Sequence, residues 1–210
     1  MNAIRRLMLA PLAAAALLGA AMSQAQTIKA PDTLIKEVSI DVIEAVKADK
    51  SIQAGDVQKV IALVDAKVMP YVNFQRMTAS AVGRHWRQAT PEQQKNLQDE
   101  FKVLLVRTYS GALAQVKDQS VQIKPIRGNA DDTEVVVRTE VRGKGDPIQL
   151  DYRLEKSADG WRIYDVNVLG VWLVENYRNS FAQEIGANGI DGLIAKLADR
   201  NKAAGLPAKS

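Results

Sequence analysis

Along the stretch that follows Thr90, apolar or small residues fall at Leu97, Phe101, Leu104, Leu105, Thr108, Tyr109, Ala112, Leu113 and Val116. Gln94, Lys95, Gln98, Asp99, Lys102 and Arg107 take the positions between. That spacing predicts a long amphipathic helix spanning roughly 40 Å at 1.5 Å per residue. Its start is marked three times over: Thr90 can cap, Pro91 suits the first helical position, and Gln93 completes a capping box. A helix with so broad an apolar stripe needs a large partner surface.

Upstream the same period predicts shorter helices. Asp32 or Thr33 can cap one with Leu34, Ile35, Val38, Val42, Ala45 and Val46 on its apolar face. Gly55-Asp56 breaks it and restarts another through Val57, Val60, Ile61, Val64 and Val68, which Pro70 ends. Asn73 can cap a third, with Phe74, Met77 and Ala81 on one face and Gly83 near its end.

After Ser120 the period changes to two. Val121, Ile123 and Pro125 alternate with polar residues, and Gly128-Asn129 turns the chain. Val135, Val137, Thr139 and Val141 then alternate with Val136, Arg138, Glu140 and Arg142. Past the turn at 143–146, Ile148, Leu150, Tyr152 and Leu154 alternate with Gln149, Asp151, Arg153 and Glu155. Asp159-Gly160 is a strong hairpin signal, and Trp161 to Val168 makes the last strand. Two short helices close the chain, one carrying Val174, Tyr177, Phe181 and Ile185, the other Ile190, Leu193, Ile194 and Leu197; residues 201–210 read as a flexible tail. Helices first and strands afterwards predict an α+β fold, with helices packed on one face of a curved four-stranded antiparallel sheet.

The amino terminus changes the setting. Arg5 and Arg6 precede an apolar run from Leu7 to Ala21, and the segment ends Ser23-Gln24-Ala25. A charged start, a short apolar middle and small residues at −3 and −1 predict a signal peptide over 1–25, cleaved after Ala25, and hence an exported protein. Cleavage of the 210-residue chain leaves 185 residues, enough for one domain with a real core. It also removes two arginines, so Lys+Arg falls from 28 to 26 against 24 acids, a net of +2. A nucleic-acid partner is not implied. The absence of cysteine excludes disulfides, thiolate metal sites and a cysteine nucleophile.

Little in the chain points to catalysis. His85 is the one histidine, so a two-histidine metal site is impossible, and between Arg84 and Arg87 it reads as a surface residue. No G-x-S-x-G motif or phosphate-cradling loop occurs. Asp151 and Asp165 fall on strands and could form an acid/base pair, although rim positions explain them more simply. What remains is apolar surface, and periodicity alone does not separate a filled core from a cavity lined by the same residues.

PYVNF, GRHWRQATPEQQ and FKVLLVRTYSGAL, followed by IQLDYRLEKSADGWRIYDVNVLGVWLVENYRNSF and GIDGLIAKL, resemble the MlaC family of periplasmic phospholipid-binding, toluene-tolerance auxiliary proteins. The match runs in order over nearly all of residues 26–200. Asn73 stands where an aspartate is expected and Trp172 where many members have a serine. The resemblance implies a helical lobe against an NTF2-like sheet with an apolar cavity between them, no enzyme activity, and no cofactor beyond a bound phospholipid as cargo. It implies a shuttle between an outer-membrane lipoprotein–porin complex and an inner-membrane ABC transporter complex with an MCE-domain protein, maintaining outer-membrane lipid asymmetry. A shuttle has reason to be monomeric. The expected cavity lining is Phe101, Leu104, Tyr109, Leu113, Val137, Leu150, Tyr152 and Val168, with Arg153 near the headgroup.

Two other readings stay open on sequence. One is an isomerase or dehydratase on the same scaffold, with Asp151 or Asp165 as general base and Tyr109 or Tyr152 stabilising an oxyanion. The other is a ligand-free periplasmic adaptor with a filled core and an apolar surface patch.

Overall fold

A computed structural model describes residues 28–116, 118–126 and 131–203. The segment expected to be a signal peptide, the turn expected at Gly128-Asn129 and residues 204–210 lie outside the described residues.

Local capping chemistry sets the helices. Helix α1, Pro31–Ala48, begins with proline at its first position and Ala30 before it, so neither Asp32 nor Thr33 is the cap. The fixed φ of proline already suits that place, and Asp32 contributes a negative charge to the first turn instead. The chain leaves α1 at Asp49, earlier than Gly55-Asp56. The Asp49 carboxylate accepts the Ser51 amide at 2.8 Å and opens an additional short helix, α2, Lys50–Gln53. Asp56 caps α3, Val57–Lys67, by accepting the amides of Gln58 and Lys59. A 3-10 turn at Met69–Tyr71 leads to α4, Phe74–Val82, which Asn73 caps and Gly83 ends at φ 66°. After a second 3-10 stretch, Gly83–Gln88, comes α5, Pro91–Ala114. Its capping box forms as expected: Thr90 Oγ1 accepts the Gln93 amide at 3.2 Å, and Gln93 Oε1 accepts the Thr90 amide at 3.0 Å.

The sheet has five strands rather than four. Strands β1 (Ser120–Ile123), β2 (Glu134–Arg142), β3 (Ile148–Ser157) and β4 (Gly160–Val168) form an antiparallel meander, and β5 (Val171–Trp172) adds two residues beyond β4. The extra strand follows a two-residue turn at Leu169 and Gly170, whose φ values are 52° and 90°. Positive φ costs a leucine about 1 kcal/mol or more, so nothing in the local sequence announces this turn. Tyr164 is an extra residue on β4, since Leu154 pairs with Ile163 and Arg153 with Asp165. Such a bulge bends and twists the sheet. The helical lobe attaches there: Val72 bridges Ile163, and the Asn73 amide donates to Ile163 O at 2.8 Å. Beside it the Arg76 guanidinium lies 3.7 Å from the Tyr164 ring centroid and donates to Glu155 and, at 2.6 Å, to Glu134.

The last helix, α6, Leu173–Ala203, carries the two expected segments, separated by Gly189 at φ 74° and ψ −177°. It runs into the region expected to be tail. Asn201 is buried and its amide donates to Glu100 O at 2.9 Å and to the Glu100 carboxylate at 2.7 Å.

Three apolar clusters hold these parts together. Helices α4, α5 and α6 share one, centred on Phe101, whose ring meets Tyr177 and Phe181 edge-on at 5.1 and 5.2 Å. Leu34, Ile35 and Val38 of α1 close a second over Val137, Leu154 and Ile163 of the sheet. Val46 of α1, Ile52, Val60 and Leu63 join Val106 of α5 in the third. Helix α1 therefore spans from the sheet to the lobe.

Candidate functional site

The register of the strands places the alternating apolar residues on one face. Val137 pairs with Tyr152, Thr139 with Leu150, Leu150 with Val168, and Tyr152 with Val166. Directly paired residues point the same way, so these side chains form a single inner surface. At one end α1 seals it: Val137, Leu154 and Ile163 are fully buried. Toward the other end Val141, Leu150, Tyr152 and Val168 are only half-buried, and Ile148 is exposed.

Helix α5 changes in the same way along its length. Leu97, Phe101 and Leu104 are sealed by α4 and α6. Thr108 and Ala112 continue that helix face and are exposed, while Leu105, Tyr109, Leu113 and Val116 beside them are half-buried. Leu105 and the sheet residue Val166 both border the cluster around Val174 and Tyr177. The close approaches between helices and strands are made by α1, α4 and α6. Two apolar faces, one on α5 and one on the sheet, are thus each closed at one end and uncovered at the other.

The residues expected to line a cavity divide accordingly. Phe101 and Leu104 belong to the packed helical core, and Val137 lies sealed beneath α1. Leu113 borders the α1–α3 cluster. Leu150 and Val168 are partners across β3 and β4, Tyr152 neighbours them, and Tyr109 lies near Tyr177. Burial pushes both phenols above the usual tyrosine value, Tyr177 adding to the effect at Tyr109. At Tyr152 the nearby hydroxyls of Ser39 and Thr139 oppose the shift. Thr139 Oγ1 donates to Leu150 O at 2.7 Å. Ser39 was not singled out on sequence, because a serine in the first half of an amphipathic helix carries no signal of the strand it meets.

Arg153, expected at a headgroup, stands on the opposite face of the sheet. Its guanidinium lies 3.9 Å from the Trp172 ring centroid and donates to Asp165 at 3.0 Å and Glu175 at 3.5 Å. Both strand aspartates share that outer face, away from Tyr152, because strand residues alternate. Asp165 is buried, and burial pushes its carboxyl up; the amides of Val174 and Val166, at 3.1 and 2.9 Å, and Arg153 act against the shift. These partners occupy the oxygens a general base would use. Asp151 Oδ2 accepts from Gln149 at 2.9 Å. His85 lies on the 3-10 stretch within 3.4 Å of Arg84 and Gln88. No cluster of potential metal ligands occurs among the described residues, and no described helix is long and apolar enough to cross a membrane. A groove of about 300 Å³ on the outer face is lined by Glu134, Val135, Val136, Arg138, Arg153 and Tyr164, so it is polar and distinct from the uncovered apolar faces.

Comparison with known proteins places this geometry. A solved structure of a phospholipid-binding protein from Ralstonia solanacearum, in complex with a phospholipid, superposes with a TM-score of 0.81 at 48% identity, covering 83% of this chain and 98% of that one. The intermembrane phospholipid transport system binding protein MlaC of Haemophilus influenzae is 23% identical over 171 residues, 80% of each chain. The toluene tolerance protein ttg2D of Pseudomonas putida is 27% identical over 209 residues, 96% of this chain and 94% of its own. These similar proteins are named for binding, transport and tolerance rather than for a reaction. The family model described as MlaC protein matches residues 36–199, and the chain belongs to the MlaC family.

Proposed function

We propose that the protein is a periplasmic phospholipid carrier of an intermembrane transport system. Its cargo is held by the acyl chains between the uncovered half of α5 and the open end of the inner sheet face. The observation that carries this reading is the matched exposure on those two surfaces, in a chain 48% identical to a phospholipid-bound structure. Leu105, Tyr109, Ala112 and Leu113 form one wall, and Leu150, Tyr152 and Val168 the other. The hydroxyls of Tyr152, Ser39 and Thr139 supply a polar point within that apolar cleft, suited to an ester or the base of a headgroup. The carrier works between the outer-membrane lipoprotein–porin complex and the inner-membrane ABC transporter complex, contributing to lipid asymmetry.

Such a carrier needs no catalytic group. Burying acyl chains gains about 0.8 kcal/mol per methylene, and a bilayer offers the lipid nearly the same. The protein therefore has only to match the membrane, and modest differences between partners set the direction of transfer.

Native mass spectrometry on protein purified from the periplasm without detergent tests this reading. A mass excess equal to phospholipid is expected, and it should be lost in a folded Val168→Asp variant. A bare polypeptide mass, unchanged after incubation with phospholipid vesicles, would overturn it.

A further inference from the structure

The β4–β5 turn holds a residue that the fold does not account for. Leu169 and Gly170 both have positive φ, a geometry that favours Asn-Gly or Asp-Gly. Here the first place is taken by leucine, a type that rarely adopts this backbone, and its side chain is 66% exposed. Neither the backbone nor packing within the molecule favours it. Two more apolar side chains stand exposed beside it, Val171 at 50% and Ile148 at 41%. The pairing brings them together: Val168 pairs with both Leu150 and Val171, and the Leu169 amide donates to Gln149 O at 3.1 Å. All three side chains therefore gather at the open end of the inner sheet face.

We propose that this apolar tip is the surface by which the protein touches a phospholipid bilayer, with Leu169 entering the boundary between headgroups and acyl chains. Three side chains at a turn fall well short of the roughly 800 Å² per partner that a specific protein interface buries. A small projecting apolar tip suits shallow, reversible insertion instead. Charge plays a minor part, because Lys144 on the adjoining turn is offset by Asp146 nearby, and Arg142 is held by Glu140 at 2.7 Å. The tip is also continuous with the cleft, through Ile148, Leu150 and Tyr152 on β3 and through Val171, Val168 and Val166 across from them. A lipid leaving the bilayer at the tip would meet apolar surface along its whole path. This proposal rests on the carrier reading above.

Flotation of the full-length mature protein with phosphatidylethanolamine–phosphatidylglycerol vesicles tests it, comparing the wild type with Leu169→Asn. The wild type is expected to float with the vesicles and the variant to partition about tenfold less. The variant's Tm should be equal or higher, because asparagine tolerates the left-handed backbone. Wild-type flotation should persist at about 0.5 M salt, where exposed charges are screened. Equal flotation of the two proteins, or none by the wild type, overturns the bilayer contact, and the second result passes the tip to a protein partner. Phospholipid bound to both proteins in native mass spectrometry would then leave the carrier reading intact. Its absence from the wild type, before and after incubation with vesicles, would overturn both.

Discussion

The Asp165 carboxylate lies 3.1 Å from the backbone amide of Val174, and that hydrogen bond joins the outer face of the sheet to the first turn of α6. The same oxygen accepts the Val166 amide, and the other takes Arg153, whose guanidinium rests on Trp172. A buried carboxylate at a helix start satisfies amides that the helix itself leaves without partners. Asp165 is placed to do this for the start of α6.

Its titration tests the balance. Burial raises the folded-state value above the ordinary 3.8, so between the two values the folded protein holds the proton more tightly. The group's contribution to stability is therefore full below about pH 3.8 and falls as pH rises through the folded value. Asp165→Asn removes that fall. The difference in Tm, variant minus wild type, should be more favourable to the variant at about pH 7 than at about pH 3. The reverse ordering in thermal melts at the two pH values would mean that Arg153 and the two amides outweigh burial.

Ala112 and Phe101 lie on one stripe of α5 but should respond differently. Ala112 is exposed and lies on the wall of the proposed cleft, so Ala112→Phe should leave Tm within about 2 °C and lower the fraction of protein carrying lipid several-fold by filling the space. Phe101→Ala opens the aromatic cluster with Tyr177 and Phe181 and should cost about 3–5 kcal/mol. Native mass spectrometry beside chemical denaturation separates the two effects, and unchanged lipid occupancy in Ala112→Phe would count against the cleft.

Gly189 separates the halves of α6 in a conformation reserved almost wholly for glycine, φ 74° and ψ −177°. Gly189→Ala should destabilise by about 1–3 kcal/mol even though no atom crowds the added methyl. Urea denaturation gives the number; a change under about 0.5 kcal/mol would show that the break can shift to a neighbour.

Asn201 should behave as a core residue. Removing its side chain deprives Glu100 of two hydrogen bonds, and Asn201→Ala should cost about 1–2 kcal/mol, or roughly 3–6 °C in Tm. Lys202→Ala, one residue on and exposed, should change Tm by less than about 2 °C.

What sequence alone determined here is the chemistry that acts over three or four residues. The Thr90–Gln93 capping box, the Asn73 cap, the β3–β4 hairpin signalled by Asp159-Gly160 (its turn at 158–159, with Gly160 opening β4) and the two-residue alternation on β2 and β3 all depend on neighbours in the chain, so each could be read directly. The apolar faces of α5 and of the sheet could be read too, together with the family. Tertiary structure alone decided which of them are sealed. Leu97, Phe101, Thr108 and Ala112 follow one helical stripe, yet α4 and α6 cover the first pair and leave the second open. The same is true of the bonds from Val174 to Asp165, Arg153 to Asp165 and Asn201 to Glu100, which join residues between nine and 101 positions apart. Periodicity identifies the face a residue occupies. Whether that face meets another element, a bound lipid or water depends on where distant segments pack.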